Sequence, residues 1–330
     1  MPDDFQRGPR PRAEILGDER VDLLAGKKLV FLVGSGRSGT TWLELLLGRS
    51  TSVAHVFETH WFSRYMRSCF EAWQSDRNTS SIAGIHHILS DQEFYALVRQ
   101  QFAIILARAA EKKPSATVLL EKSPAHALHW REILKAFPDA YFIHLIRDPR
   151  GVVASMLAAS RGWGAQWAPR SIAGACEMWR EHVESALEIP TATSRYFEVR
   201  YRELIECGPE TLKRIFDWLN VEVDVEECRR FIDDCSLDHL KSGTDREEEL
   251  LERLPTDFFR EGRRHAWETE LSRREIALVE KLTEPLMTRL GYSFNGSSTS
   301  DRMLATTSIL WLEMKKAARW RLYRLYSDLS

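Results

Sequence analysis

The chain has 330 residues, 44% apolar and 28% charged, close to the globular average and long enough to bury a large core without covalent staples. Lys plus Arg number 46 against 48 Asp plus Glu, which argues against a surface covered in nucleic-acid-binding charge but leaves room for a local basic patch. Five cysteines, at 69, 176, 207, 228 and 235, contain no Cys-x-x-Cys, so neither a disulfide framework nor a structural zinc site is expected, and a reducing compartment fits.

The first residues, MPDDFQRGPRPRAE, hold no apolar stretch of the signal-peptide kind, and no run approaches the ~18–20 apolar residues of a membrane span, so a cytoplasmic protein is expected. Residues 1–25 are charged and Pro-bearing and read as a flexible arm. KKLVFLVG (27–34) is a short apolar run ending in Gly, the pattern of a buried parallel strand, and TTWLELLLG (40–48) carries a helical stripe. SVAHVFE (52–58) reads as a second strand, and 61–74 and 91–112 as helices around the polar loop 76–84. ATVLLEK (116–122) reads as a strand, AHALHWREILKAFP (125–138) as a helix ended by Pro138, and AYFIHLIR (140–147) as a strand. PRGVVASMLAAS (149–160) has Pro in the first helical turn. After the loop RGWGAQWAPR (161–170) come a helix at 171–188, the strand RYFEVRY (195–201), and helices near 209–219, 225–234 and 272–290. Short apolar strands alternating with helices predict an α/β domain over 26–294, a parallel central sheet flanked by helices, whose ligands sit at the carboxyl ends of the strands. NGSSTS reads as a linker, so 295–330 is a linker plus an amphipathic helix, with Trp311, Met314, Ala318, Leu322, Leu325 and Leu329 on one stripe. That tail suits docking on the domain, a homodimer contact or a peripheral membrane contact.

Between the first strand and its helix lies GSGRSGTTW (34–42). Three glycines let the backbone turn tightly near an anion, and the helix N-terminus offers unpaired N–H groups and a favourable dipole. The spacing matches a phosphate loop of the GxxxxGK[ST] kind, but Thr40 stands where the lysine should be and Arg37 lies inside the loop. Kinases and ATPases use that lysine, so their chemistry is disfavoured.

The segment RSGTTWL resembles the 5′-phosphosulfate-binding loop of sulfotransferases that use 3′-phosphoadenosine-5′-phosphosulfate (PAPS). IHLIRDPRGVVASM (143–156) resembles the same family's second element, a strand followed by an Arg and then a Ser, here Arg147 and Ser155, which hold the 3′-phosphate. The resemblance covers about residues 27–293 and implies a P-loop NTPase-like sulfotransferase fold, PAPS as co-substrate and a hydroxyl-bearing acceptor; no residue cluster calls for a metal, and the charge balance argues against a nucleic-acid partner. It implies nucleotide contacts from Gly36, Arg37, Ser38, Gly39, Thr40, Thr41 and Trp42, and from Tyr201 in VRYREL, where Arg202 replaces the usual acid. FFREGRRHAWETEL (258–271) is similar to the late RxGxxxxW loop over the 3′-phosphate, which implies Arg260, Gly262 and Arg263. Glu58 in VFETHW takes the place of the catalytic Glu of tyrosylprotein sulfotransferases, and His60 is the second candidate base. Lys122 in LLEKSP is expected to reach the transferring group together with Arg37, and Glu121 to orient Lys122 or the acceptor. His55, His126 and His129 are weaker candidates, the last two with a surface or packing role expected. Trp163 and Trp167 offer aromatic faces to an acceptor. A nucleotide kinase and a non-catalytic nucleotide-binding module remain the rival readings, and carbohydrate, glycolipid, peptidyl tyrosine and small metabolite hydroxyls all remain open as acceptors.

Overall fold

A computed structural model describes residues 24, 26–79, 82–242, 254, 255, 257–259 and 265–295. Five strands form one parallel sheet: β1 (Lys28–Gly34), β2 (Val53–Phe57), β3 (Val118–Lys122), β4 (Tyr141–Ile146) and β5 (Tyr196–Arg200), in the order β2-β3-β1-β4-β5. All five were expected from short apolar runs, each within a residue or two of its observed ends. Alternation along β1 sends Phe31 and Val33 to one face and Val30 and Leu32 to the other, and all four are fully buried. On the first face Phe31 packs against the rings of Phe62, Phe102, Phe137 and Phe142 at 5.8–6.4 Å between centroids. On the second, Val30 and Leu32 share a cluster with Leu43, Leu46, Ile143, Leu212 and Phe216.

The helices are α1 (Thr40–Gly48), α2 (Arg67–Asn78), α3 (Asp91–Lys112), α4 (Trp130–Ala136), α5 (Pro149–Ser160), α6 (Ile172–Ala186), α7 (Tyr201–Glu206), α8 (Gly208–Trp218), α9 (Val225–Asp234), α10 (Leu237–Ser242), α11 (Trp267–Glu270) and α12 (Arg273–Arg289). Capping boxes fix the starts of α3 (Ser90 with Glu93), α9 (Asp224 with Glu227) and α12 (Ser272 with Glu275). Two expected helices are composite. The stretch expected at 61–74 is a π turn, Trp61–Tyr65, followed by α2, which runs on to Asn78 into the expected loop. The stretch expected at 125–138 is a 3₁₀ turn, Pro124–His129, followed by α4, which stops at Ala136 before Pro138. Among the described residues, no helix is long and apolar enough to cross a membrane. The expected arm (1–25), apart from Leu24, and the tail at 296–330 lie outside the described residues.

Because the strands are parallel, their carboxyl ends share one edge of the sheet. That edge delivers the phosphate loop after β1, Glu58 after β2, Lys122 at the end of β3, Arg147 after β4 and Tyr201 after β5.

Candidate active site

The loop Ser35–Gly39 turns through two positive φ angles, 68° at Arg37 and 98° at Gly39. Gly39 is required twice over, since a Cβ there would also lie 2.7 Å from the Tyr201 ring. The turn is closed by a hydrogen bond from Ser38 N–H to the Ser35 carbonyl at 3.1 Å, and α1 begins at Thr40 with its first N–H groups at the cleft. Ser38 is fully buried and its Oγ has no hydrogen-bond partner. A buried hydroxyl without a partner at a helix N-terminus fits a bound anionic oxygen.

Beside the loop, Arg37 donates from Nε to Ser155 Oγ at 3.0 Å and from Nη2 to the Phe258 carbonyl at 2.7 Å, while Arg147 Nη1 donates to the Arg37 carbonyl at 3.2 Å. The Arg147 guanidinium lies 4.3 Å over the Tyr201 ring, and Tyr201 meets Trp42 edge-on at 6.1 Å. Trp42 is held by a bond from Nε1 to the Cys235 carbonyl at 2.9 Å. Arg37 also faces the rings of Phe258 (4.7 Å) and Trp163 (5.1 Å). Thus two guanidinium groups and a serine hydroxyl, from three parts of the chain, converge on one wall with an aromatic floor of Tyr201 and Trp42. Arg260, Gly262 and Arg263 lie outside the described residues.

The other wall is an ion-pair cluster. Lys122, fully buried, donates from Nζ to Glu58 Oε1 at 2.7 Å and Thr41 Oγ1 at 3.1 Å, and lies 3.7 Å over the Phe57 ring. It also faces Glu44 Oε2 at 3.6 Å. Glu58 Oε2 meets His60 Nε2 at 3.3 Å. Burial pushes the Glu58 carboxyl up, but the His60 hydrogen bond and the Lys122 charge and hydrogen bond outweigh it and bring it down to about 2. Lys122 thus brings an ammonium from β3 to the second residue of α1.

Glu58 and His60 both have positive φ, 29° and 50°, a sparsely populated conformation for residues with side chains. A buried hub holds them there. Glu121 Oε1 accepts from Thr59 N–H (3.2 Å), Thr59 Oγ1 (2.7 Å) and Ser123 Oγ (2.6 Å), and Oε2 meets His126 Nδ1 at 2.9 Å. Ser123 Oγ in turn accepts from His60 N–H, and His126 Nε2 from Phe62 N–H. That last bond assigns the His126 proton to Nδ1, which donates to Glu121. Burial alone would raise the Glu121 carboxyl; the His126 imidazole and the two hydroxyls outweigh it and hold it below the usual carboxylate range. His126 is fully buried and structural, as expected, but its task is to pin the turn after Glu58.

Both walls open into one cleft of about 780 Å³. Arg64, Leu128, His129, Trp163, Trp167 and His182 also line it. Burial above all brings His129 down to about 4, and burial also lowers His182, so both face the cleft as neutral imidazoles at neutral pH. Among the described residues, no cluster of His, Cys, Asp or Glu could hold a metal ion.

Sequence reasoning did not find Glu44, the roles of Ser123 and His126, or Phe258. The signal for Glu44 was present: it is the one charged residue in TTWLELLLG. The others carry no mark in one dimension, because they act through partners up to 221 positions away.

A family model described as "Sulfotransferase family" matches residues 30–225. The "Putative protein-tyrosine sulfotransferase" of Caenorhabditis briggsae is 26% identical over 202 residues, 59% of this chain and 66% of that protein, so the chain spans just under two thirds of this relative. Among solved structures, the "Sulfotransferase Domain from the Curacin Biosynthetic Pathway" superposes with a TM-score of 0.53 at 16% identity, covering 82% of this chain and 99% of that one. Mouse sulfotransferase SULT7A1, solved "complexed with PAP", superposes with a TM-score of 0.50 at 15% identity, covering 86% of this chain and 91% of that one. These likenesses establish the fold.

Proposed function

The chain belongs to the sulfotransferase family, and from that premise we propose that it moves the sulfuryl group of PAPS to an acceptor hydroxyl by in-line displacement. The observation that carries the reading is the meeting of Glu58 and Lys122 at Thr41, the start of the helix after the phosphate loop. Sulfuryl transfer needs an anion cradle, a cation at the leaving oxygen and a base for the acceptor hydroxyl, and these are the groups gathered there. The structure solved with PAP, adenosine 3′,5′-bisphosphate, supports the choice of nucleotide.

In this reading the N–H groups of residues 38–41 and the Ser38 hydroxyl hold the 5′-phosphosulfate end. Arg147, with the Ser155 hydroxyl that Arg37 already engages, holds the 3′-phosphate, and Trp42 and Tyr201 flank the nucleotide. PAPS supplies an activated S–O bond. Lys122 turns from Glu58 toward the bridging oxygen, which frees Glu58 and raises its affinity for a proton. Glu58 takes the acceptor proton as the acceptor oxygen bonds to sulfur and the S–O bond to the 5′-phosphate breaks. Arg37 and Lys122 balance the charge on the transferring group, and PAP leaves. His60, bonded to Glu58, is the second candidate base. We assign this catalytic unit to residues 26–294, in a cytoplasmic protein, and any dimer or membrane contact to the stripe at 301–330. Incubation with ³⁵S-labelled PAPS and a panel of sugar, glycolipid, tyrosyl-peptide and small hydroxyl acceptors tests the reading. Label on at least one acceptor with equimolar release of PAP is expected, and no transfer to any class would refute it.

A further inference from the structure

The transfer described above gives no task to Glu44 or His55. Glu44 is fully buried and is the one charged residue of α1. A buried carboxylate is costly unless charge or hydrogen bonds compensate it. Here Oε1 meets His55 Nδ1 at 3.0 Å, and Oε2 has no hydrogen-bond partner and faces Lys122 Nζ at 3.6 Å. His55, on β2, is seated on the end of α1, where a Cβ at Gly48 would lie 2.8 Å from its ring. Lys122 therefore sits between two carboxylates: Glu58, which reaches the cleft, and Glu44, sealed beneath it.

We propose that Glu44, backed by His55, is a positioning residue: a permanent counter-charge that keeps Lys122 charged and at Thr41 while Glu58 changes its own charge. The proposal rests on the transfer reading. When Glu58 takes the acceptor proton it becomes neutral, and its pull on Lys122 is lost. With Lys122 turned to the bridging oxygen and Glu58 neutral, Glu44 is the one carboxylate among the described residues still facing the buried ammonium. Glu44, walled off from the cleft, takes no part in the proton transfer. It also shares the ammonium with Glu58, so Glu58 is freer to accept a proton than if it held Lys122 alone.

Glu44→Gln keeps the shape and the contact with His55 but removes the charge. The expected result is a fall in kcat of about tenfold or more with the KM for PAPS changed by no more than about threefold. Added to Lys122→Met, the same change should alter kcat by less than about twofold, because no lysine remains for it to act through. A purely structural Glu44 predicts the opposite: a lower melting temperature, near-normal kcat in the folded fraction, and the same further loss in the Lys122→Met background. Melting curves of the wild type, both single variants and the double variant read the pairing without turnover. The double variant should melt above Lys122→Met, since Glu44 is there left a fully buried carboxylate without its lysine; additive shifts would overturn the proposal. Should Lys122→Met fail to fold, recovery of folding in the double variant supports the pairing, and failure to recover overturns it. If the wild type transfers no label, the transfer reading falls, while the melting cycle still decides whether Glu44 holds Lys122.

Discussion

Replacing Glu58 with Gln separates two consequences of the same carboxylate. Its side chain is 28% exposed, and its carboxyl is lowered from 4.5 to about 2 by His60 and Lys122 acting against burial. A depression of that size is worth at most about 3 kcal/mol of native stability. Because the folded value is the lower one, this stability is present in full above the unfolded pKa near 4.5 and is lost as pH falls toward 2. Denaturant unfolding of wild type and Glu58→Gln should therefore show a gap of up to about 3 kcal/mol at pH 7, shrinking by about half by pH 3. Turnover should fall by ~10²–10⁴-fold, the range for loss of a general base, while PAP affinity stays within a few-fold of wild type. A kcat loss under about tenfold would refute Glu58 as the base and direct attention to His60→Asn. A stability gap flat from pH 7 to 3 would refute the ion-pair account of its pKa.

The nucleotide side makes independent predictions. Gly39→Ala forces a side chain onto a φ of 98° and against the Tyr201 ring, and should cost about 1–3 kcal/mol in denaturant unfolding and weaken PAP binding in titration calorimetry; unchanged stability would contradict the close approach. Arg147→Lys keeps the charge but loses the fork and the stack on Tyr201. It should weaken PAP by about tenfold or more yet leave adenosine 5′-monophosphate binding nearly unchanged, because only PAP carries the 3′-phosphate; equal losses for both would remove Arg147 from that role.

The sheet was legible in the sequence because each strand is an apolar run bounded by turn residues, and a buried parallel strand needs little else. The phosphate loop was legible for a related reason: its glycines and its place between strand and helix are local. The turn at 58–66 was less so. The apolar pattern of WFSRYM suggests an ordinary helix, but Glu121, Ser123 and His126 clamp the backbone just before it, and the first turn opens to i→i+5 bonding, with Met66 N–H donating to the Trp61 carbonyl. Lys122 and Glu58 were each recognised singly, whereas their contact follows from the neighbouring places of β2 and β3, where Phe57 pairs with Lys122. Glu44 falls inside the apolar stripe of TTWLELLLG, where a lone carboxylate among leucines marks a buried charge that needs a partner. The near-zero net charge likewise hid a cleft lined by Arg37 and Arg147, with Lys122 buried behind Glu58 and Thr41.

The central claim is that this cleft takes a 3′-phosphoadenosine nucleotide, and calorimetric titration of the wild-type chain with PAP and with ATP plus Mg²⁺, side by side, tests it most directly. The account predicts that PAP binds at least about tenfold more tightly, a gain of the size expected for one well-placed phosphate clamp. Equal affinity, or a preference for ATP, would contradict it.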